Sequence, residues 1–335
     1  FKQNTEEVYK ETINIKDHVS GLQKVAQLLT DATIGVINDP SEINVVGHRV
    51  VHGGENFTDT QVIDDAVKEK IKKLFSLAPL HNPPNYVGIE VAEKIFSTAK
   101  QVAVFDTAFH QTLPPMAYRY AIPAEYYFTH KIRAYGFHGT SHKYVSEKAI
   151  EFLNKPNTKI ITIHLGNGCS MAAVDNGKSI DTSMGLGPMN GLMMGTRSGD
   201  IDQSVIFYLV NQLGYGFDEV NNVLNKKSGM LGLTGYSDMR DVKAAIANGN
   251  KEASLAYDMY AYRIRKYIGA YAAALNGLDA IVFTAGVGEN DALTRKLAAN
   301  NLEFLGIELD EEKNDQHLSG IREINKSTSK VKILI

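Results

Sequence analysis

The hydrophobic positions of this chain switch repeatedly between two periods, one typical of amphipathic helices and one typical of buried strands. In the first third, apolar residues recur at helical spacing behind acids that can cap a helix, as Asp17 does before Val19 and Leu22. Short β-branched runs separate these segments. The pattern predicts helices over 17–29, 64–77 and 84–96, strands over 42–51 and 101–105, and an ordered proline-bearing loop before the third helix.

The rest of the chain repeats this alternation with longer helices. The run 159–165 predicts a buried strand and 169–174 a second one, and Asn176-Gly177 predicts a tight hairpin turn after it. Further predicted elements are a helix ending at 153 with Ser141 as its cap, helices over 202–213, 218–224, 239–248 and 251–275, a glycine-containing loop over 228–241 and a strand over 279–284. The tyrosines of the last helix are expected to pack on a neighbouring element or subunit rather than on a cofactor. Strands alternating with helices are typical of the α/β class.

Glycine is concentrated between 161 and 200, where two strands give way to a stretch of glycine, small polar and methionine residues. From 181 to 200 no regular element is expected, because each glycine in a helix or strand interior costs about 1 kcal/mol. Backbone amides next to glycine can approach an anion closely. The stretch is therefore interpreted as a phosphate-handling surface.

Composition narrows the class of protein. A length of 335 residues suggests two domains, and 44% hydrophobic with 22% charged residues is typical of a soluble globular protein. The net charge of −3 gives no reason to expect nucleic acid or an acidic membrane as a partner. The single cysteine, Cys169, excludes an internal disulfide and fits a reducing compartment. No apolar run approaches the length of a membrane span, and the cytoplasm is the expected location.

Three residues stand where α/β proteins place their functional groups. Arg49 lies between two histidines at a strand end that runs into Gly53-Gly54, and Asp106 follows a short buried strand. A solvated strand end and a helix cap are the structural alternatives for these two. His138 lies in a glycine-flanked loop and suits hydrogen bonding to an anion. His142 is four residues further on, but the intervening glycine and the lack of cysteine or acidic partners argue against zinc.

Two strand-then-glycine loops, at 164–168 and 286–290, are typical of anion or nucleotide sites. The common nucleotide-binding and nucleophile motifs are absent from the sequence. A P-loop would need glycine where Ala172 stands, and neither Gly-x-Gly-x-x-Gly nor Gly-x-Ser-x-Gly occurs. What remains is two phosphate loops accompanied by Arg49, Arg197, Asp106 and His138. Cations and amides that converge on phosphate are what phosphoryl transfer requires, so the residue types favour a phosphotransferase.

Eight motifs, in chain order, resemble those of the acetate kinase family: GHRVVHGGE, LAPLHNPPN, VFDTAFHQTLP, YGFHGTSH, HLGNGCS, DTSMG, GLMMGTRSGDID and FTAGVGEN. The resemblance covers nearly the whole chain from Asp17 onwards. It implies a two-domain actin-like ATPase fold, with ribonuclease H-like duplicated domains around an inter-domain nucleotide cleft. It further implies an acetate-side domain over 1–107, a nucleotide-binding and dimerisation domain over 108–335, and a homodimer. The implied reaction is reversible phosphoryl transfer from ATP to acetate, giving ADP and acetyl phosphate, with Mg²⁺ or Mn²⁺.

The resemblance also implies individual roles. Asp106 would be the catalytic acid beside the metal or its water, and His138 and Arg197 would stabilise the phosphoryl group during in-line attack by a carboxylate oxygen. The implied acetate-binding residues are Arg49 for the carboxylate and Val51, Leu80, Phe137 and Pro188 around the methyl group. The implied nucleotide-binding residues are His164, Leu165, Gly166, Asn167, Gly168, Asp238, Met239, Arg240, Gly286, Val287, Gly288, Glu289 and Asn290.

Val51 fits a pocket for a two-carbon acid, and one extra methylene is worth only about 1–3 kcal/mol, so propionate should be a weaker substrate. The family's N-terminal Asn-Ala-Gly-Ser-Ser-Ser-Leu-Lys loop and C-terminal Thr-Asn-Glu-Glu segment have no counterpart here, and with them go the family's Asn and Glu metal ligands. Both ends of the chain look cut, and these 335 residues alone are expected to be weak or inactive. The alternatives are a propionate or butyrate kinase and a non-catalytic nucleotide-binding fragment.

Overall fold

A computed structural model describes residues 2–3, 6–7 and 9–335 of the chain. The chain falls into two compact units, Phe1–Ala108 and Phe109–Ile335, and the division comes one residue after the boundary expected between 107 and 108. Phe1, where the sequence suggests an incomplete start, lies outside the described residues. Among the described residues, none of the helices combines the length and the apolar character that crossing a membrane requires.

The first unit is a small mixed sheet covered by helices. Its elements are β1 (Lys2–Gln3), β2 (Glu6–Glu7), α1 (His18–Leu29), a 3₁₀ turn (Pro40–Glu42), β3 (Val45–Val50), β4 (Gln61–Val62), α2 (Asp65–Lys73), α3 (Asn82–Ile95) and β5 (Lys100–Phe105). The central strand β5 runs parallel to β3 on one side and antiparallel to β4 on the other. Val50 and Phe105, at the ends of β3 and β5, are buried in one core with Ile71 of α2 and Ile89 of α3.

The helix ends of this unit follow capping rules more closely than hydrophobic periodicity. Asp17 caps α1 as predicted, its carboxylate accepting the Ser20 amide at 2.7 Å. Helix α2 ends at Lys73 rather than at 77, because the amides of Leu74 and Phe75 bond three residues back and tighten the chain into turns. Helix α3 begins at Asn82 rather than at 84. Prolines at the next two positions are tolerated there, since amides in a helix's first turn lack a helical partner anyway.

The second unit is larger and surrounds a five-stranded sheet. Its strands are β6 (Lys159–Leu165), β7 (Cys169–Asp175), β8 (Lys178–Thr182), β9 (Ala280–Thr284) and β10 (Lys332–Leu334). Its helices are α4 (Pro115–Tyr118), α5 (Ala124–His130), α6 (Gly139–Leu153), α7 (Ser204–Asn211), α8 (Phe217–Lys226), α9 (Gly229–Thr234), α10 (Met239–Ala247), α11 (Lys251–Leu275), α12 (Ala285–Asn290), α13 (Ala292–Ala299) and α14 (Glu311–Asp315), with 3₁₀ turns at Ala108–Thr112 and Glu303–Leu305. The α/β class is confirmed.

The order of this sheet is β10-β9-β6-β7-β8, with β6 parallel to β9 and antiparallel to β7. Asn176 and Gly177 connect β7 to β8 with positive φ angles of 51° and 78°, which confirms the predicted hairpin. The β7–β8 hairpin also takes up Asp181 and Thr182, which were expected to lie outside any regular element. Residues 183–203, the rest of the glycine-rich stretch, contain neither helix nor strand.

Two predictions for the second unit are wrong. Ser141 does not cap α6, because its hydroxyl bonds Nδ1 of His164 at 2.8 Å and the cap position is held by His138 with a φ of 57°. The loop predicted over 228–241 contains helix α9. Of the tyrosines of α11, Tyr257, Tyr260 and Tyr271 are buried, as packing on neighbouring elements requires, whereas Tyr262 is exposed. Tyr260 also lines the cavity described below.

Candidate functional site

Arg49 and Asp106 meet at one edge of the sheet in the first unit. Strands β3 and β5 are parallel with Val50 opposite Phe105, so both strands end at the same edge and deliver these two residues side by side. The guanidinium donates two hydrogen bonds to the carboxylate, from Nε to Oδ1 at 2.9 Å and from Nη2 to Oδ2 at 2.5 Å. Two candidates chosen independently from the sequence are therefore one structural pair.

The pair is asymmetric in a way that suits substrate binding. The side chain of Asp106 is 3% exposed, whereas that of Arg49 is 64% exposed. The hydrogen bonds that Arg49 donates to Asp106 raise the pKa of Arg49 above its ordinary value, so the guanidinium stays charged. Arginine has five N–H donors and this pair uses two of them. The outer face of Arg49 can therefore bind an anionic ligand while Asp106 holds its inner face.

The chain that follows β3 is clamped to the start of α3. The Asn82 side chain bonds both the amide and the carbonyl of His52, at 3.0 and 2.9 Å, and Asn85 accepts the amide of Val51 at 3.1 Å. Val51 is consequently buried, whereas Leu80 is exposed. The proline-bearing motif thus positions the residues next to Arg49, a function that its sequence did not reveal.

In the second unit, His138 and Arg197 converge on the glycine loop between β6 and β7. A β-carbon placed on Gly168 would lie 2.8 Å from Nη2 of Arg197 and 3.5 Å from Nε2 of His138. The Arg197 guanidinium is anchored by Nη1, which donates to the Pro188 carbonyl at 2.5 Å, and burial lowers its pKa. A guanidinium nitrogen and an imidazole nitrogen therefore face the same small space beside a glycine backbone, as suits an anion site.

A methyl group at Gly168 tests this arrangement. In Gly168→Ala the new β-carbon would displace the Arg197 guanidinium, because that side chain is the movable partner of the clash. We expect kcat to fall by about tenfold or more, as for a misplaced transition-state donor. Gly177→Ala is the matched control, since its β-carbon would meet only Ile150 at 3.7 Å although its backbone strain is greater. Equal kcat losses in the two variants would contradict the prediction, and steady-state kinetics measures both.

A cavity of about 540 Å³ lies in the second unit. The predicted nucleotide residues that line it are Gly166, Asn167, Asp238, Met239, Arg240, Gly286, Val287 and Asn290. Asp238 caps α10 by accepting the Arg240 amide, and its hydrogen bonds with Arg240 lower the pKa of Asp238 to about 2. Segments from three distant parts of the chain thus form one concave surface, as expected for a ligand site.

The other predicted nucleotide residues do not line this cavity, and each has a local reason. Leu165 is buried in the sheet core and Gly288 is buried in α12. Glu289 turns back on its own helix, where its carboxylate accepts the Ala285 amide at 3.1 Å. His164 stacks on His138 with ring centroids 4.2 Å apart, and Gly168 faces His138 and Arg197. His164 and Gly168 therefore lie beside His138 and Arg197 rather than in the cavity.

The cavity also contains residues that the sequence analysis missed. Lys243 forms an ion pair with Asp291, Nζ to Oδ1 at 3.1 Å, and Asp291 also accepts the Tyr257 hydroxyl at 2.6 Å. Ser237, Met230, Gly195 and Tyr260 complete its lining. The only sequence signal was proximity, since Asp291 follows the Gly286–Asn290 segment directly and Lys243 lies one helical turn after Arg240.

The residues expected around the acetate methyl group are divided between the units. Val51 and Leu80 belong to the first unit, and Phe137 and Pro188 to the second. The Phe137 side chain is buried, and its carbonyl is bonded by Nε2 of His110 at 3.1 Å. Among the described residues no group of three or more histidine, cysteine, aspartate or glutamate side chains could hold a metal ion.

Comparison with known proteins gives concordant matches over the whole chain. The sequence model of the Acetokinase family matches residues 1–335. The acetate kinase of Flavobacterium johnsoniae is 64% identical over 327 residues, which are 98% of this chain and 83% of that protein. The acetate kinase of Caldicellulosiruptor saccharolyticus is 51% identical over 338 residues, covering 100% of this chain and 84% of that protein.

Solved structures agree with the sequence matches. The crystal structure of Porphyromonas gingivalis acetate kinase superposes with a TM-score of 0.91 at 46% identity, over 96% of this chain and 82% of that one. A propionate kinase from Francisella tularensis gives a TM-score of 0.89 at 45% identity, over 95% of this chain and 80% of that one. The chain shares its fold with both.

Proposed function

This chain belongs to the acetokinase family, and we propose that it catalyses the reversible transfer of the γ-phosphoryl group of ATP to acetate, giving ADP and acetyl phosphate. It is a phosphotransferase with a carboxyl group as acceptor. The observation that carries the proposal is the convergence of His138 and Arg197 on Gly168, in the same unit as the nucleotide-type cavity. Donors that face a glycine backbone suit a phosphoryl group whose charge is spread over several oxygens.

Arg49 binds the carboxylate of acetate in this proposal. Asp106 orients the guanidinium by its two hydrogen bonds and leaves the exposed face of Arg49 for the substrate. A planar guanidinium matches a carboxylate, which fixes the direction of the attacking oxygen. Val51, Leu80, Phe137 and Pro188 are assigned to the methyl group, as the family resemblance implies.

The chemical step is an in-line displacement. One carboxylate oxygen of acetate forms a bond to the γ-phosphorus while the bond from that phosphorus to the bridging oxygen of ADP breaks. His138 and Arg197 donate hydrogen bonds to the equatorial oxygens, where negative charge is spread in the transition state. The carboxylate has no proton to lose, so Asp106 is assigned to orienting Arg49 and to the metal or its water, not to proton abstraction.

The cavity of the second unit binds the nucleotide in this proposal. Gly166 and Asn167, from the loop that carries Gly168, line it, and Arg240, Gly286, Val287 and Asn290 are among its other lining residues. Gly195 and Asn167 are in close contact, since a β-carbon on Gly195 would lie 2.1 Å from Oδ1 of Asn167. This packing holds the phosphate loop against the glycine-rich stretch.

Mg²⁺, or Mn²⁺ in its place, is the proposed cofactor and would neutralise charge on the ATP phosphates. Magnesium is usually held by one or two carboxylates together with substrate phosphates, so the lack of a three-residue cluster among the described residues is compatible with it. Asp106 is the carboxylate assigned to it. Activity should disappear with a chelator and return with added Mg²⁺; turnover that persists in excess chelator would refute this part.

Two further assignments concern the protein as a whole. A homodimer is supported by exposed apolar residues of α7 and α8, among them Phe207, Tyr208 and Phe217. Sedimentation velocity should give twice the monomer mass, and Phe207→Glu should lower it. A cytoplasmic location is supported by the single, buried cysteine, Cys169, and cell fractionation tests it.

The function is tested by trapping the acyl phosphate with hydroxylamine. Acetate, propionate and butyrate are compared in the presence of ATP and Mg²⁺. We expect turnover that is weak in absolute terms but highest with acetate, with kcat/KM lower by about 10-fold or more for propionate, as one methylene allows. Turnover highest with propionate or butyrate would overturn the substrate assignment. The absence of turnover with all three acids, in a protein that measurably binds ADP, would overturn the proposed catalysis.

A further inference from the structure

A chain of buried polar groups extends from His138 into the core of the second unit. Nδ1 of His138 lies 2.9 Å from Oγ of Ser170, which lies 2.7 Å from Nε2 of His142. Nδ1 of His142 lies 2.7 Å from Oγ1 of Thr162, which donates to the Ala172 carbonyl at 3.5 Å. Ser170, His142 and Thr162 are fully buried. The candidate active-site histidine is therefore the outer end of a continuous hydrogen-bonded series.

The sheet and α6 together create this series. Thr162 lies opposite Ala172 across β6 and β7, two positions from the next pair on the same face, His164 and Ser170. His142 lies one helical turn after His138, so both rings lie on one side of α6. The arrangement needs the hairpin and the helix at once, which is why residue spacing did not reveal it.

The direction of the hydrogen bonds follows from the inner end. A carbonyl can only accept, so a Thr162 hydroxyl that donates to Ala172, a long contact at 3.5 Å, accepts from Nδ1 of His142 at 2.7 Å. A neutral imidazole carries one proton, so Nε2 of His142 accepts from Ser170. The single hydrogen of the Ser170 hydroxyl is then donated to His142, so Oγ of Ser170 accepts from Nδ1 of His138. Every step places the proton of His138 on Nδ1.

The surroundings of His142 support its neutral state. Burial lowers its pKa well below the ordinary value, and the nearby imidazoles of His110, His164 and His138 act in the same direction. An uncharged His142 transmits the hydrogen-bond direction from Thr162 to Ser170, whereas a doubly protonated ring would donate on both sides and break the order.

We propose that Thr162, His142 and Ser170 are positioning residues that keep His138 protonated on Nδ1, so that Nε2 can donate to a phosphoryl oxygen only when His138 is a cation. The donation from His138 to a phosphoryl oxygen rests on the proposed function, whereas the position of the proton on Nδ1 of neutral His138 does not. Neutral His138 presents a lone pair at Nε2, which an anionic phosphoryl group repels. Cationic His138 donates there with a charge-assisted hydrogen bond, which is roughly twice as strong as a neutral one.

The groups that face His138 define the pH dependence. They are the stacked His164, the Arg197 guanidinium beside Gly168, and His142 and His110 behind Ser170. When cationic His138 loses a proton as pH rises, it loses the proton on Nε2, and the proton on Nδ1 stays in its hydrogen bond to Ser170. The kcat of the enzyme should then fall about tenfold per pH unit on the alkaline side of that titration.

Thr162→Val is the decisive variant, because valine keeps the shape and removes the hydroxyl. His142 then loses the acceptor for Nδ1–H and moves its proton to Nε2, which turns Ser170 round to donate to His138. Nitrogen-15 NMR of histidine-labelled protein, above the titration of His138, should show protonated Nδ1 in the wild type and protonated Nε2 in Thr162→Val. The alkaline fall of kcat should flatten in the same variant.

Two controls distinguish an effect of this hydrogen-bonded series from a general disturbance of the core. Thr162→Ser keeps the hydroxyl and should restore the wild-type NMR pattern and pH profile. Ser179→Ala removes another buried hydroxyl from an imidazole, the 2.8 Å bond to Nδ1 of His110, and should leave the His138 tautomer unchanged. A wild-type His138 protonated on Nε2 when neutral, or an unchanged tautomer in Thr162→Val, would overturn the proposal. Because NMR reads the proton directly, a protein without acetate kinase activity would refute the function and leave the hydrogen-bonded series testable.

Discussion

Arg197→Ala should lower kcat by about 10³-fold while the affinity for ADP stays close to that of the wild type. The guanidinium faces the space over Gly168, is fixed by the Pro188 carbonyl and does not line the cavity, and the proposed function assigns it to the charge that develops in transfer. Hydroxamate formation measures kcat and calorimetric titration measures ADP binding. Loss of ADP binding in parallel with turnover would assign Arg197 to the nucleotide instead.

Two variants make the Arg197 result interpretable. Arg197→Lys keeps the charge and loses the planar fork, so it should recover only part of kcat. Arg263→Ala removes another arginine that supports the glycine-rich stretch, through the carbonyls of Gly191 and Asp200 at 3.2 and 3.0 Å. It should lower Tm and reduce kcat far less than Arg197→Ala does. A comparable kcat loss would mean that loop collapse, rather than the missing donor, explains both.

Arg49→Ala should combine a catalytic and a structural defect. In the proposed function the carboxylate of acetate then loses its cation, so kcat/KM for acetate should fall by about 10²-fold or more while KM for ATP changes little. Asp106 becomes a buried carboxylate without its bidentate partner, which should reduce the free energy of unfolding by about 2 kcal/mol. The loss stays below the value for a fully buried pair because Arg49 is largely exposed to water. Steady-state kinetics and denaturant unfolding measure the two effects separately.

The double variant Arg49→Ala with Asp106→Asn separates these two effects. Asparagine carries no charge, so the double variant should regain stability relative to Arg49→Ala and remain catalytically weak. Gain of stability with recovered activity would contradict the role of Arg49 in binding the carboxylate. An Arg49→Ala protein as stable as the wild type would show that the Arg49 guanidinium does not stabilise the buried Asp106 carboxylate.

Much of the candidate site was accessible from local sequence. Arg49 and Asp106 were selected because each ends an apolar strand, and parallel pairing of the strands then brings them together. The Asn176-Gly177 turn was likewise predictable, since only residues tolerant of positive φ fit it. The assignment of Ser141 was wrong because a cap and a side-chain contact compete for the same hydroxyl, and His164, 23 residues away, wins it. Local pattern cannot weigh a partner that only folding supplies.

The sequence by itself determined the α/β class, the order of the elements, the family and the residues that bear charge at the strand ends. Each of these depends on neighbours in the chain, through periodicity, capping or a contiguous motif. The tertiary structure alone decided which of those residues meet: the Lys243–Asp291 pair in the cavity, the convergence of His138 and Arg197 on Gly168, and the hydrogen-bonded series behind His138. Those contacts join residues that are distant in sequence. Their geometry depends on strand register and helix packing, which no local pattern encodes.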